Sequence, residues 1–135
     1  MTVRALDHVN IRTADVPATM AFFRDVLGLR ADIAPGAASL DQGCWMYDPA
    51  NRPIIHIGAA TATYPSDGER PFTSAQGSGA VHHVALDCDD FDAMSARIEA
   101  AGRTYWTNDV PQIGLKQLFV AEANDILLEL NFRID

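Results

Sequence analysis

The feature that most constrains this chain is that it repeats itself. Leu6-Asp7-His8-Val9-Asn10-Ile11-Arg12 and Val81-His82-His83-Val84-Ala85-Leu86-Asp87 both alternate apolar and polar residues as short strands do, with a histidine at the same phase. His8 lies seven residues before Asp15, and His83 seven before Asp90. Each aspartate stands where a helix N-cap belongs, because its carboxylate can accept from the free N–H groups of a first turn. Apolar residues then recur at helical spacing: Val16, Met20, Phe23 and Leu27 in the first copy, Phe91, Met94, Ile98 and Ala101 in the second. Both helices are expected to end at a glycine, near Gly28 and Gly102, where a left-handed cap is tolerated.

Three strand-like pieces follow each helix. They are expected near Leu29–Ala34, Gly43–Asp48 and Pro53–Ala59, and near Arg103–Trp106, Leu115–Glu122 and Ile126–Phe132. Each half therefore reads as βαβββ. The fold class is α+β: two tandem βαβββ modules whose strands curve into a cup with the helices outside. The 135 residues suffice for one such domain, with module one at about 1–60 and module two at about 80–135. Between them, residues 60–79 are rich in Gly, Pro, Ser and Thr without hydrophobic period, the mark of a linker, a lid or both.

The last strands of the two copies also match. Ile54-Ile55-His56-Ile57 and Leu127-Leu128-Glu129-Leu130 each hold one polar residue in an apolar run. Alternate residues of a strand share a face. Val9 and Ile11 can pack under a helix, which leaves His8, Asn10 and Arg12 on the other face. Val84 and Leu86 stand likewise against His83 and Asp87, and Leu128 and Leu130 against Glu129 and Asn131. Any one of these polar residues alone reads as an ordinary half-buried side chain. Four at matched positions, all in the cup phase, read as a site. Glu129, flanked by leucines, needs a partner or a metal to offset its desolvation. His82 is on the opposite phase and is read as structural.

Charge narrows the partners. A net charge of −8 offers no footprint for nucleic acid and would be repelled by anionic lipid, and no apolar run approaches membrane-spanning length. Cys44 and Cys88 are isolated, without metal-type spacing, and are expected to be inert buried thiols in a reducing cytoplasm. The partner implied is a small-molecule substrate.

Leu-Asp-His-Val at the start, Phe-Phe-Arg-Asp-Val-Leu-Gly-Leu over 22–29, His-His-Val-Ala-Leu over 82–86 and Leu-Glu-Leu-Asn-Phe over 128–132 occur in a characteristic order and spacing. In these features the chain resembles the vicinal-oxygen-chelate superfamily of glyoxalases, bleomycin-resistance proteins and extradiol dioxygenases, from Leu6 to Phe132. The resemblance implies a metal-holding cup made of two βαβββ modules, within one chain or across a homodimer, with His8, His83 and Glu129 as the ligands. The implied cofactor is a divalent metal, with Fe or Mn favoured and Zn or Ni also suited to such ligands. The family often carries Asp-Pro-(Asp/Asn)-Gly before the last strand. Here Glu122-Ala123-Asn124-Asp125 stands instead, so a tight turn is still expected but with altered geometry beside Glu129.

His56 separates the chemistries. Glyoxalase-like members usually supply a second Glu from that strand, whereas extradiol dioxygenases carry a non-ligand histidine at a similar interval, as acid/base. His56 is thus the candidate catalytic residue, and ring-cleaving dioxygenase chemistry is slightly favoured. Against it, the tyrosine that those enzymes place on the preceding strand is absent, Gln117 and Phe119 standing there. Metal-assisted proton transfer of glyoxalase or epimerase type is the alternative, with His56 as fourth ligand or base. A non-catalytic, drug-sequestering cup of bleomycin-resistance type is the third. Arg12, Tyr47, Gln117 and Asn131 are candidate substrate-binding residues. Arg12 could also form a rim salt bridge, Gln117 and Asn131 could orient Glu129, and Trp45 shares a phase with Tyr47. Tyr64 could cover the cup if its segment is a lid.

Overall fold

The two helices begin as their caps dictate. Asp15 accepts from the Ala18 N–H at 3.0 Å and Asp90 from the Ala93 N–H at 3.2 Å, so each helix starts on the residue after its aspartate. In the computed structural model, which describes residues 1–134, the order is β1 (Val9–Thr13), α1 (Val16–Ala21), β2 (Arg30–Ile33), β3 (Gly43–Tyr47), β4 (Pro53–Ala59), β5 (Val84–Cys88), α2 (Phe91–Ala100), β6 (Tyr105–Val110), β7 (Leu115–Ala121) and β8 (Leu127–Arg133). A short 3₁₀ turn, Pro111–Ile113, joins β6 to β7. This is the α+β class with two βαβββ modules. No helix among the described residues is long and apolar enough to cross a membrane.

The chain divides into two compact units, Met1–Ser74 and from Ala75 onward. The boundary falls inside the segment over 60–79, so residues 60–74 belong with the first unit. Each unit forms its own four-stranded mixed sheet, ordered β1-β4-β3-β2 in the first and β5-β8-β7-β6 in the second. In both, the first strand pairs parallel with the last and the remaining pairs are antiparallel. The helix carries the chain across the sheet from one edge strand to the other, and the two antiparallel returns that follow bring the last strand parallel beside the first.

Burial follows the alternation. In the first unit Ile11, Cys44, Met46, Ile55 and Ile57 are buried, as are Val16, Met20 and Phe23 of the helical segment, and α1 packs on β3 and β4. In the second, Leu118, Val120, Leu128, Leu130 and Phe132 are buried with Met94 and Ile98 of α2. The first helix departs from the single α-helix expected. After Ala21 it widens into a π-helical turn over Phe22–Val26, with the Leu27 N–H donating to the Phe22 carbonyl. The extra residue per turn lets the adjacent Phe22 and Phe23 both bury. Gly28 (φ 79°) and Gly102 (φ 70°) end the two helical segments in the left-handed region, as expected of them.

The turn before β8 is built around a buried carboxylate. Glu122 is buried and accepts from the Asn124 N–H (2.6 Å), the Asn124 side-chain amide (3.0 Å) and the Ile126 N–H (3.1 Å). Asp125 takes the left-handed conformation that a tight turn demands, φ 62°. Glu122 so replaces a proline-glycine turn by side-chain hydrogen bonds, and holds the start of the strand that carries Glu129. Both thiols are free, and burial pushes each up to about 11. Replacing Glu122 with Ala strands these buried donors. It is expected to cost about 1–3 kcal/mol in stability, read as a lower denaturation midpoint at unchanged slope in urea.

Candidate functional site

The parallel pairing places the matched polar residues. His8 and His83 each lie one residue before the first strand of their unit rather than within it. Asn10, two residues on from His8, sits opposite His56 on β4. Ala85, two residues on from His83, sits opposite Glu129 on β8. Each unit thus brings a terminal histidine beside a polar residue of its last strand, His56 in one and Glu129 in the other.

In the first unit the result is an aromatic stack. The His8 and His56 rings lie 3.6 Å apart at 13°, and the Trp45 ring lies 3.9 Å from His56 on its other side at 8°. Trp45 is on β3, directly opposite His56. His56 is 9% exposed, and its Nε2 is buried without a hydrogen-bond partner. Burial, and then the neighbouring His8, hold its pKa below the ordinary histidine value, against a smaller upward pull from the Pro53 backbone and Asp7. A neutral imidazole with one free nitrogen is the form that can bind a metal or accept a proton. At the other end of the stack, His8 Nδ1 lies 2.6 Å from the Asp7 carboxylate, which holds the Asp7 carboxyl below its usual range. A carboxylate on one ring nitrogen fixes a histidine's orientation and leaves the other nitrogen for a ligand.

In the second unit, His83 Nε2 and Glu129 Oε1 are 3.8 Å apart, beyond hydrogen-bond length. The other carboxylate oxygen ends a chain of amides. Asn108 donates to Gln117 (2.9 Å), Gln117 to Asn131 (3.2 Å), and Asn131 to Glu129 Oε2 (3.0 Å). Asn108, Gln117 and Asn131 are in register across β6, β7 and β8. A chain that ends by donating to Oε2 leaves Oε1 turned to His83. His82 stands beside His83, ring nitrogens 2.9 Å apart, and is exposed.

The remaining candidates are placed as follows. Arg12 makes a two-pronged bridge to Asp67 (2.7 and 3.1 Å), donates to the Ala62 carbonyl, and lies over the rings of Tyr64 (4.2 Å) and Phe72 (4.6 Å). Tyr47 carries the Arg30 guanidinium over its ring at 4.4 Å. Gln117 and Asn131 belong to the amide chain. Asp7, Trp45, Asn108 and Tyr64 complete the surroundings. Asp7 signals itself only by adjoining His8. Asn108 lies beyond the expected end of β6 at Trp106, because that strand is exposed over 106–109 and has no apolar alternation to mark its length.

Imidazole and carboxylate are donor types that suit a divalent ion, and each unit pairs two such groups, His8 with His56, whose buried Nε2 lacks a partner, and His83 with Glu129. Among the described residues no three His, Cys, Asp or Glu side chains are gathered into one cluster.

A profile described as the Glyoxalase/Bleomycin resistance protein/Dioxygenase superfamily matches residues 5–115, a stretch that includes His8, His56 and His83 and stops short of Glu129. Among curated proteins, none matches the sequence. Solved structures share the fold at low identity. A lactoylglutathione lyase from Agrobacterium tumefaciens is 17% identical, with 98% of this chain and 96% of that one covered and a TM-score of 0.66. A genomically encoded fosfomycin resistance protein from Listeria monocytogenes is 15% identical over 98% and 96%, with a TM-score of 0.67. A glyoxylase/bleomycin resistance protein/dioxygenase domain from Frankia sp. EAN1pec is 16% identical over 99% and 95%, at 0.68. On its sequence profile, and with a fold that agrees, the chain belongs to the glyoxalase/bleomycin resistance protein/dioxygenase superfamily.

Proposed function

We propose that this protein is a divalent-metal-dependent enzyme acting on a small substrate through two adjacent oxygens, with His8, His83 and Glu129 holding the ion and His56 as the base beside it. The observation that carries the reading is His56 itself. A buried imidazole held neutral, with an unpartnered Nε2, costs stability and serves no packing purpose that an apolar residue would not serve better. The bound ion would polarise the chelated oxygens as a Lewis acid. Neutral His56 can accept at Nε2 the proton that a substrate hydroxyl sheds on binding. Asp7 orients His8, and the amide chain from Asn108 orients Glu129. The pairs His8–His56 and His83–Glu129 come from one chain or from two copies of it, and a homodimer would supply both in the second case. Free, unreactive thiols suit a reducing cytoplasm.

Ring cleavage of a catechol-like substrate is the chemistry favoured, because three ligands leave open positions and a non-ligand histidine then has a task as acid/base. The unpartnered Nε2 also supports a second reading, in which His56 is a fourth ligand and the reaction is proton transfer of glyoxalase or epimerase type.

Elemental analysis of protein purified without oxygen separates these. Iron or manganese near one per chain, lost in Glu129→Ala, together with dioxygen uptake on catechols, is expected for the first reading. Zinc or nickel, with metal retention that falls at least tenfold in His56→Ala, would move the assignment to the second. Absence of any divalent metal after reconstitution would overturn both and leave a ligand-sequestering cup. In the first reading Asn131→Ala, which frees Glu129 Oε2, is expected to weaken metal affinity about 10–100-fold, measured by competition with a chelator.

The metal-free protein gives a pH test. His56 has its folded pKa below the unfolded value of 6.5, so the unfolded chain takes up this proton first. Its contribution is therefore full above about 6.5 and is lost as pH falls through the folded value. Histidine NMR should show His56 titrating below 6.5, and His56→Phe should flatten the loss of stability over that window. A His56 resonance titrating at or above 6.5 would remove the neutral-base assignment.

A further inference from the structure

The first unit contains a cavity of about 670 Å³, within the range of small-molecule sites. Its floor is the polar face of β1, β4 and β3, with Asn10, His56 and Trp45 in one row. The loop over 34–37 forms one wall and the segment over 62–65 another. Two glycines stand opposite each other in register on this floor, Gly43 with Ala34 and Ala37 against it and Gly58 with Tyr64 against it. A Cβ on Gly58 would fall on the Tyr64 hydroxyl, so the ring of Tyr64 rests directly on the strand, and its hydroxyl lies 3.3 Å from Asn10 Oδ1.

Charge is what distinguishes this cavity. None of its 15 lining residues is Lys, Arg, Asp or Glu. The nearest cation in register is Arg12, opposite Gly58, and it is withheld. Both its terminal nitrogens go to Asp67, one of them also to the Ala62 carbonyl, and its plane is clasped between Tyr64 and Phe72, leaving 11% of the side chain exposed. Asp67 neutralises it and also accepts from the Tyr64 N–H at 2.9 Å, so the ion pair serves to hold the segment that carries Tyr64. An anionic group entering this space would be desolvated without a counter-ion, in a protein already carrying a net charge of −8.

We infer that this cavity binds the uncharged ring of the substrate and rejects substrates carrying an additional carboxylate, sulfonate or phosphate, and that Arg12 is a positioning residue for the Tyr64 wall rather than an anion anchor. The inference rests on taking the His8–His56 pair as half of the substrate site, but its test needs neither metal nor adjacent oxygens.

Metal-free protein is titrated with 4-methylphenol and with 4-hydroxybenzoate, which have the same ring and hydroxyl and differ by one charge. The Trp45 indole and Gly58 amide signals are followed by NMR. The neutral ligand is expected to shift both, with affinity about tenfold above that of the benzoate. In Asp67→Asn, whose guanidinium partner is released, the ratio should narrow toward one by a gain for the benzoate. Equal or tighter binding of the benzoate by the native protein would overturn the inference, as would no shift with either ligand. A ratio unchanged in folded Asp67→Asn would overturn the role given to Arg12. None of these results bears on whether a metal binds, so this reading and the metal assignment fail separately.

Discussion

Two strands lying parallel cannot be joined by a tight turn, and in both units the first strand lies parallel to the last. The intervening helix and two antiparallel strands follow from that demand. So does the site. Because β1 runs beside β4, a histidine at the mouth of β1 meets the one polar residue of β4. β5 and β8 do the same for His83 and Glu129. The aspartate caps contribute here, since Asp15 and Asp90 fix where each helix starts and hence how its first strand is followed. Backbone pairing thus brings His8 beside His56 and His83 beside Glu129, although both histidines lie one residue outside their strands.

Within that shared frame the two copies solve different problems. A carboxylate between leucines must be satisfied, and the second unit does so with donors in register, Asn108 through Gln117 to Asn131. An imidazole can be accommodated by stacking, and the first unit presses His56 between His8 and Trp45. Stacking satisfies the faces of the ring and leaves the edge, so Nε2 remains without a partner. Glu129 is oriented by hydrogen bonds and His56 by packing, and it is the packed group that keeps an open valence.

Much of this architecture is legible in the amino-acid sequence, for reasons that also mark the limits of such reading. The repeat, the caps, the glycine stops and the alternation of β4, β7 and β8 are written in residue type at fixed spacing, so the expected strand Pro53–Ala59 agrees with β4 to the residue. Polar, exposed β6 extends past the expected end at Trp106, because an edge strand that buries little leaves no hydrophobic trace, and Asn108 is missed with it. The π-helical turn at Phe22–Val26 is indistinguishable from continuous helix in sequence, since an inserted backbone residue changes hydrogen bonding without changing composition. Arg12 reads as a ligand anchor or as half of a salt bridge, but its ion-pair partner cannot be named from sequence, because Asp67 lies 55 residues away in a segment without periodicity. Pairings of that kind are set by tertiary closure, and sequence spacing does not reveal them.

The same register comparison explains why the first unit lacks the amide chain of the second. Two residues along from His56, the first unit reads Arg12, Gly58, Gly43. Two residues along from Glu129, the second reads Asp87, Asn131, Gln117. Side chains that support the carboxylate in one copy are replaced by glycines in the other. Their absence lets Tyr64 settle against bare backbone at Gly58, and Ala34 and Ala37 pack against Gly43. The charged first member of each row is held in an ion pair, Asp87 with Arg133 and Arg12 with Asp67. The two halves of the repeat thus use the second row differently: one copy fills it with amides that orient Glu129, and the other leaves it bare for Tyr64 to rest on.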